Sequence, residues 1–152
     1  MKYNDVKRCL LGCPDFAGLD ESTVAELFWR GEAQTLEAGS LVYAEDSRLD
    51  STFGLLLSGD LIVEKAGEII GGIGGQQVFG EMAYFTNRRT RTATIRVGSP
   101  EAVVVKFQVT PQEMASDHFA SLRKCLARQT WEKFVCTSQS ATPADEVLAV
   151  TC

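Results

Sequence analysis

The sequence predicts a mainly β domain, an antiparallel β-roll or jelly roll with helices before it and a C-terminal helix after it. Three observations carry that prediction. Between about Ala33 and Phe107, short apolar and β-branched runs alternate with Gly, Asp, Ser and Asn, the pattern of brief strands joined by turns. On both flanks the apolar spacing lengthens to three and four residues, the period of a helix. The chain of 152 residues suits one such domain and can bury roughly two-thirds of its unfolded surface.

Taken in order, residues 3–30 read as helical. Asp5 to Leu11 is a short amphipathic stretch that stops near Gly12 and Pro14. Asp20 to Trp29 follows, with acids in its first turn and Val24, Leu27 and Phe28 in helical register. The roll then spans 33–107, with strands at Leu41-Val42-Tyr43, Phe53 to Leu57, Leu61-Ile62-Val63, Ile69-Ile70, Thr92 to Val97 and Ala102 to Phe107. Ser58-Gly59-Asp60 and Lys65 to Glu68 mark turns. The Gly71-Gly72-Ile73-Gly74-Gly75 run departs from G-x-G-x-x-G and has no helix behind it, so it reads as a flexible hairpin. At 110–136 helices resume. Thr110-Pro111-Gln112-Glu113 supplies an N-cap, a first-turn proline and a capping box. Phe119, Leu122, Leu126 and Phe134 then keep a helical period. The expected domain is 1–137, and the stretch 138–152, broken by Pro143, is expected to be a loose tail.

Charge and composition exclude several classes. Twenty acids against fifteen Lys and Arg give a net charge of −5, which argues against a DNA, RNA or anionic-membrane partner. The N-terminus lacks a signal-peptide layout and no apolar run approaches a bilayer span, so a cytoplasmic location is expected. Five cysteines (Cys9, Cys13, Cys125, Cys136, Cys152) are an odd number without C-x-x-C spacing, and one histidine, His118, accompanies them. That set reads as reduced thiols and no metal site, with His118 at a helix end. The roll holds no Ser-His-Asp set, no Cys-His pair and no P-loop, so the chain reads as a non-enzyme.

The chemistry concentrates in Val78 to Val97. Gly80 lets the backbone approach a ligand closely. Glu81-Met82-Ala83-Tyr84 can start one helical turn whose free N–H groups face an anion. Glu81 can accept a proton from a hydroxyl, and Arg91, expected on the next strand, can hold a phosphate through charge-assisted bonds. Arg88 reads as a solvated cation, while Arg89 is an alternative phosphate partner in a shifted register.

This segment resembles the phosphate-binding cassette of the cyclic-nucleotide-binding domain family: Phe-Gly-Glu, a small apolar helix, then Arg followed by Ala, Ser or Thr. The likeness extends over residues 10–136 and includes Phe16-Ala17-Gly18-Leu19, Glu37 to Tyr43 and the Leu56-Leu57-Ser58-Gly59 turn. Two departures stand out. Glu45-Asp46-Ser47 replaces the family's Glu-Gly-Asp, with Asp46 able to take a left-handed turn, and no proline precedes the arginine.

What the resemblance implies is a binding module without a cofactor. Its ligand would be cyclic AMP ahead of cyclic GMP, although a hydroxyl at Thr92 suits both. Phe79, Gly80, Glu81, Met82, Ala83, Arg91 and Thr92 would form the phosphate and ribose pocket. Trp131 and Arg123 on the last helix, with Arg128, could cover the purine, though for Trp131 packing between helix and roll is the simpler expectation. The family couples binding to a second module. About 45 residues follow the roll, too few for a connecting helix and a helix-turn-helix reader. The expected output is therefore movement of the C-terminal helix toward an unidentified effector protein, or toward a second copy in a homodimer seam. The alternative is a degenerate roll that binds no nucleotide and acts as a protein-interaction scaffold.

Overall fold

The computed structural model describes residues 1–140, with side chains through Trp131. Helices α1 (Tyr3–Gly12) and α2 (Glu21–Arg30) lead into strands β1 (Gly31–Glu37), β2 (Leu41–Tyr43), β3 (Thr52–Ser58), β4 (Asp60–Lys65), β5 (Glu68–Gly74), β6 (Gln77–Phe79), β7 (Thr94–Val97) and β8 (Glu101–Gln108). Helices α3 (Pro111–Met114) and α4 (Ala120–Ser140) complete the order. The eight strands among the described residues form two antiparallel sheets, β1-β8-β3-β6 and β2-β7-β4-β5. This is the β-roll with flanking helices that the strand spacing predicts.

The long apolar runs have a physical cause. Strands β3 and β8 are central in a sheet covered on both faces, so successive side chains enter different cores. Phe53, Leu55, Val105 and Phe107 pack with Val6, Leu10, Leu27, Phe119 and Leu122 on the helical side. Leu56, Ala102 and Val104 turn inward to meet Leu61, Val63, Ile95 and Val97 of the second sheet. That second sheet alternates instead: Leu61 and Val63 are buried while Ile62 and Glu64 are partly open to solvent.

Two expectations are corrected and one strand is added. The glycine run is not a free hairpin: Gly71, Gly72 and Gly74 lie within β5, paired with Val63, Ile62 and Asp60 of β4, and the chain turns at Gly75 with φ of +69°. Strand β6, which the sequence shows only as the approach to the Gly80 segment, pairs with β3 through Gly54 and Phe79. A Cβ on Gly54 would lie 2.3 Å from the Phe79 ring, so this glycine is what lets the ring cross the strand. The strand expected from Thr92 begins at Thr94.

The C-terminal helices settle onto the roll. Thr110 Oγ1 accepts from the Glu113 N–H, and Glu113 in turn accepts from the Thr110 N–H, both at 3.1 Å, the reciprocal capping box expected there. Arg30 Nη2 lies 2.7 Å from Glu113 Oε2, tying the end of α2 to this cap. Helix α4 packs across Pro14–Phe16 and the turn Glu81–Tyr84. Phe119, Leu122 and Leu126 face this core at 1% exposure or less, so they pack on the domain and offer no seam to a second copy. The side chain of Phe134, and residues 141–152 of the expected tail, lie outside the described residues. No helix among the described residues is long and apolar enough to cross a membrane.

Candidate functional site

After β6 the chain turns at Gly80, whose φ of +79° is a left-handed conformation that costs any residue with a Cβ. Glu81–Tyr84 then winds one 3₁₀ turn with all four residues buried. The Tyr84 hydroxyl donates to the Val109 carbonyl at 2.7 Å, fixing the turn to the end of β8. The connection onward to β7 is laced to the loop between β2 and β3. Leu49 N–H donates to Arg89 O, Arg91 N–H to Ser47 O, and Asp46 N–H to Arg91 O, at 2.8 to 2.9 Å. Asp46 takes the left-handed conformation expected of it, with φ of 65°. Arg91 therefore stands before β7, where the sequence suggested a strand position.

The Arg91 side chain is 3% exposed. Its Nη1 donates to Gly80 O at 2.8 Å. Its Nη2 donates to Asp50 Oδ1 at 2.7 Å and to Thr52 O at 2.8 Å. The guanidinium carbon lies 3.6 Å from the centre of the Tyr43 ring, a favourable face-on placement of cation on aromatic. Such a charge is tolerable in the interior because it is both paired and hydrogen-bonded. Burial alone would raise the Asp50 carboxyl, but the Thr52 hydroxyl and the Arg91 charge outweigh it and the net shift is downward. Burial pushes the Tyr43 phenol up to about 12, with Arg91 opposing. Tyr43 and Thr52 also share a hydroxyl–hydroxyl bond of 2.8 Å.

Glu81 is 0% exposed and faces a different element. Its Oε1 accepts from Gln129 Nε2 on α4 at 2.8 Å, and the same nitrogen donates to Val78 O at 2.9 Å. Beside Arg91 is a cavity of about 10 Å³ walled by Tyr43, Gly80, Met82, Ala83, Arg91, Thr92, Ala93 and Ile95, room for about one water. Of the residues singled out by sequence, the cavity thus gathers Gly80, Met82, Ala83, Arg91 and Thr92. Phe79 is buried behind it against Gly54, and Glu81 is turned away toward α4.

The remaining candidates separate. Arg89 is exposed, with φ of 52°. Arg123 Nη1 donates to Met114 O at 2.7 Å and Ser116 O at 3.0 Å, which commits it to the end of α3. Trp131 is 65% exposed, so it does not fill the space between helix and roll. With Met82, Phe85, Ala127 and Thr130 it lines an apolar groove of about 290 Å³. Met82 is common to groove and cavity. Among the described residues no cluster of three metal-ligating side chains occurs.

No protein-family profile matches the sequence, and no curated protein matches it either. Solved structures do. The regulatory domain of Toxoplasma gondii PKA with cAMP matches with a TM-score of 0.67 at 18% identity, over 95% of this chain and 56% of that one. The sensor domain of the transcriptional regulator DNR from Pseudomonas aeruginosa matches with 0.71 at 16%, over 92% and 95%. The regulatory subunit of a cAMP-independent protein kinase A from Trypanosoma brucei matches with 0.71 at 16%, over 91% and 49%. The chain has the cyclic-nucleotide-binding fold. It spans about half the length of the two kinase regulatory chains.

Within the cyclic-nucleotide-binding fold, four residues that the sequence reading passed over hold the site: Tyr43, Asp50, Thr52 and Gln129. The signal for Gln129 was present, since it follows Leu122 by seven and Leu126 by three on the inward face of α4, where an amide is out of place among leucines. Asp50 and Thr52 sit 41 and 39 positions from Arg91, and no local pattern links them to it.

Proposed function

We infer that the chain binds a 3′,5′-cyclic nucleotide, cyclic AMP ahead of cyclic GMP, and acts as a regulatory sensor without a catalytic step. One observation carries this reading: a buried guanidinium and a buried carboxylate, ten positions apart in sequence, flank the left-handed Gly80. Arg91 is the phosphate partner, with the N–H groups of Gly80 to Ala83 and the Thr92 hydroxyl beside it. Glu81 is the acceptor for the ribose 2′-hydroxyl. Trp131 is the purine partner on this reading, supported by Met82, which is common to its groove and to the cavity at Arg91.

A cavity of about 10 Å³ is far below the roughly 300 Å³ or more of typical ligand pockets. Binding on this reading therefore enlarges the cavity, and the release of α4 as Glu81 turns to the ribose hydroxyl is the output relayed to an effector protein. The small cavity, with Arg91 already bonded to protein acceptors, is the observation on which the alternative reading rests, a roll that holds no nucleotide and serves as an interaction scaffold; the solved structures of like fold do not favour it. Isothermal titration with cyclic AMP and cyclic GMP, with linear 5′-AMP as the control, separates the two. Saturable binding of a cyclic nucleotide but not of 5′-AMP supports the sensor. Silence toward both cyclic nucleotides supports the scaffold.

A further inference from the structure

We propose that Gln129 is a latch, holding Glu81 against α4 in the nucleotide-free domain and giving way when a ribose hydroxyl takes that carboxylate. This rests on the sensor reading above and adds the device that regulates the same site.

A carboxylate shut off from water needs donors. The Gln129 amide supplies one at 2.8 Å and donates from the same nitrogen to Val78 O at 2.9 Å. An amide NH₂ carries two hydrogens, so these two bonds use both. They fall on either side of Gly80: Val78 lies in the middle of β6 on the approach, and Glu81 opens the turn beyond it. One side chain of α4 thus clips both limbs of the bend that presents Gly80 to the cavity. The clip is rigid, because Leu122 and Leu126 on the same face of α4 are at 0% exposure.

Glu81 is not among the walls of the cavity at Arg91. A hydroxyl reaches it only if the packing over the carboxylate opens, and Gln129 belongs to that packing. Ligand and latch therefore compete, and competition is reciprocal: whatever factor the ligand takes from the Glu81–Gln129 bond, deleting the bond returns to the ligand.

The test is titration of wild type, Gln129→Ala and the shape-preserving Gln129→Leu with cyclic AMP and with its 2′-deoxy analogue. The expected result is cyclic AMP binding about tenfold tighter in both variants, the scale of one hydrogen bond to a charged group. Affinity for the 2′-deoxy analogue, which has no hydroxyl to offer Glu81, stays at the wild-type value. Hydrogen exchange on the ligand-free proteins is expected to show faster exchange in α4 of the variants. Wild-type binding with no tightening in either variant overturns the latch and leaves the sensor reading standing. Equal tightening for both ligands also overturns the latch, since a general loosening of α4 would produce it. If wild type and both variants ignore cyclic AMP, the sensor reading itself falls.

Discussion

The guanidinium of Arg91 rests 3.6 Å from the centre of the Tyr43 ring, and the two side chains are 3% and 5% exposed. Around that stack, Gly80, Asp50 and Thr52 supply the acceptors that a buried cation requires. The residue proposed to meet a phosphate is thereby also a cross-brace between the Gly80 turn and the start of β3.

Removing Arg91 should therefore cost stability without any ligand. Arg91→Leu strips a donor from two backbone carbonyls and from Asp50, and a loss of about 3 kcal/mol is expected. Tyr43→Phe keeps the ring and loses the hydroxyl's bond to Thr52, for about 1 kcal/mol. Urea denaturation reads both, and an Arg91→Leu midpoint equal to wild type would contradict the brace.

Gly80 and Gly12 make a matched pair. A Cβ at Gly80 would sit 2.8 Å from Tyr43 Cε2 and 3.2 Å from Arg91 Nη1, at φ of +79°, whereas one at Gly12 meets nothing within 4 Å. Gly80→Ala should destabilise by at least about 1–2 kcal/mol from the left-handed backbone alone. Gly12→Ala should be neutral or stabilising by up to about 1 kcal/mol. Thermal melts that moved the same way in both would refute the assignment.

Acid should loosen the junction between α2 and α3. The Arg30 side-chain bond, helped by the Thr110 N–H, lowers the Glu113 carboxyl from 4.5 to about 2. Because the folded value is the depressed one, this contribution is complete above 4.5 and drains away as pH falls toward 2. The Glu113 side chain is 37% exposed, so its size is about 1 kcal/mol or less. Urea midpoints measured down that window should fall more steeply for wild type than for Glu113→Gln, and parallel curves would exclude the linkage.

Two neighbours on α4 should divide stability from binding. Leu126 is at 0% exposure, and Leu126→Ala is expected to cost about 2–5 kcal/mol. Trp131 is 65% exposed, and Trp131→Ala should change stability by only about 0.5 kcal/mol. If it lies against a purine, the same change should weaken cyclic nucleotide binding severalfold. A Trp131 variant that melts early but binds normally would reverse the assignment.

The architecture was legible because its causes are local. Turn residues punctuate the strands, and the cap at Thr110 needs only residues within three positions. Arg91 was legible as a candidate, but its setting was not, since Asp50, Thr52 and Tyr43 reach it through strand pairing that no sequence window contains. The β5 glycines misled for a related reason. Their lack of side chains suggests slack, yet β4 supplies the hydrogen bonds that hold them extended. Trp131 misled in the opposite sense, since its size suggests burial while its position on α4 turns it outward.

The cross-brace at Tyr43 also bears on how a mute version of this protein ought to be made, and on how its descendants would drift. Erasing Arg91 would confuse deafness with collapse, so on the proposed sensor reading Thr92→Val, at a half-buried wall of the cavity, is the cleaner silencing change. A lineage that abandoned nucleotides altogether would still be under pressure to retain the arginine for the sake of its scaffold. Finding that residue in a distant cousin is thus no proof that the cousin listens.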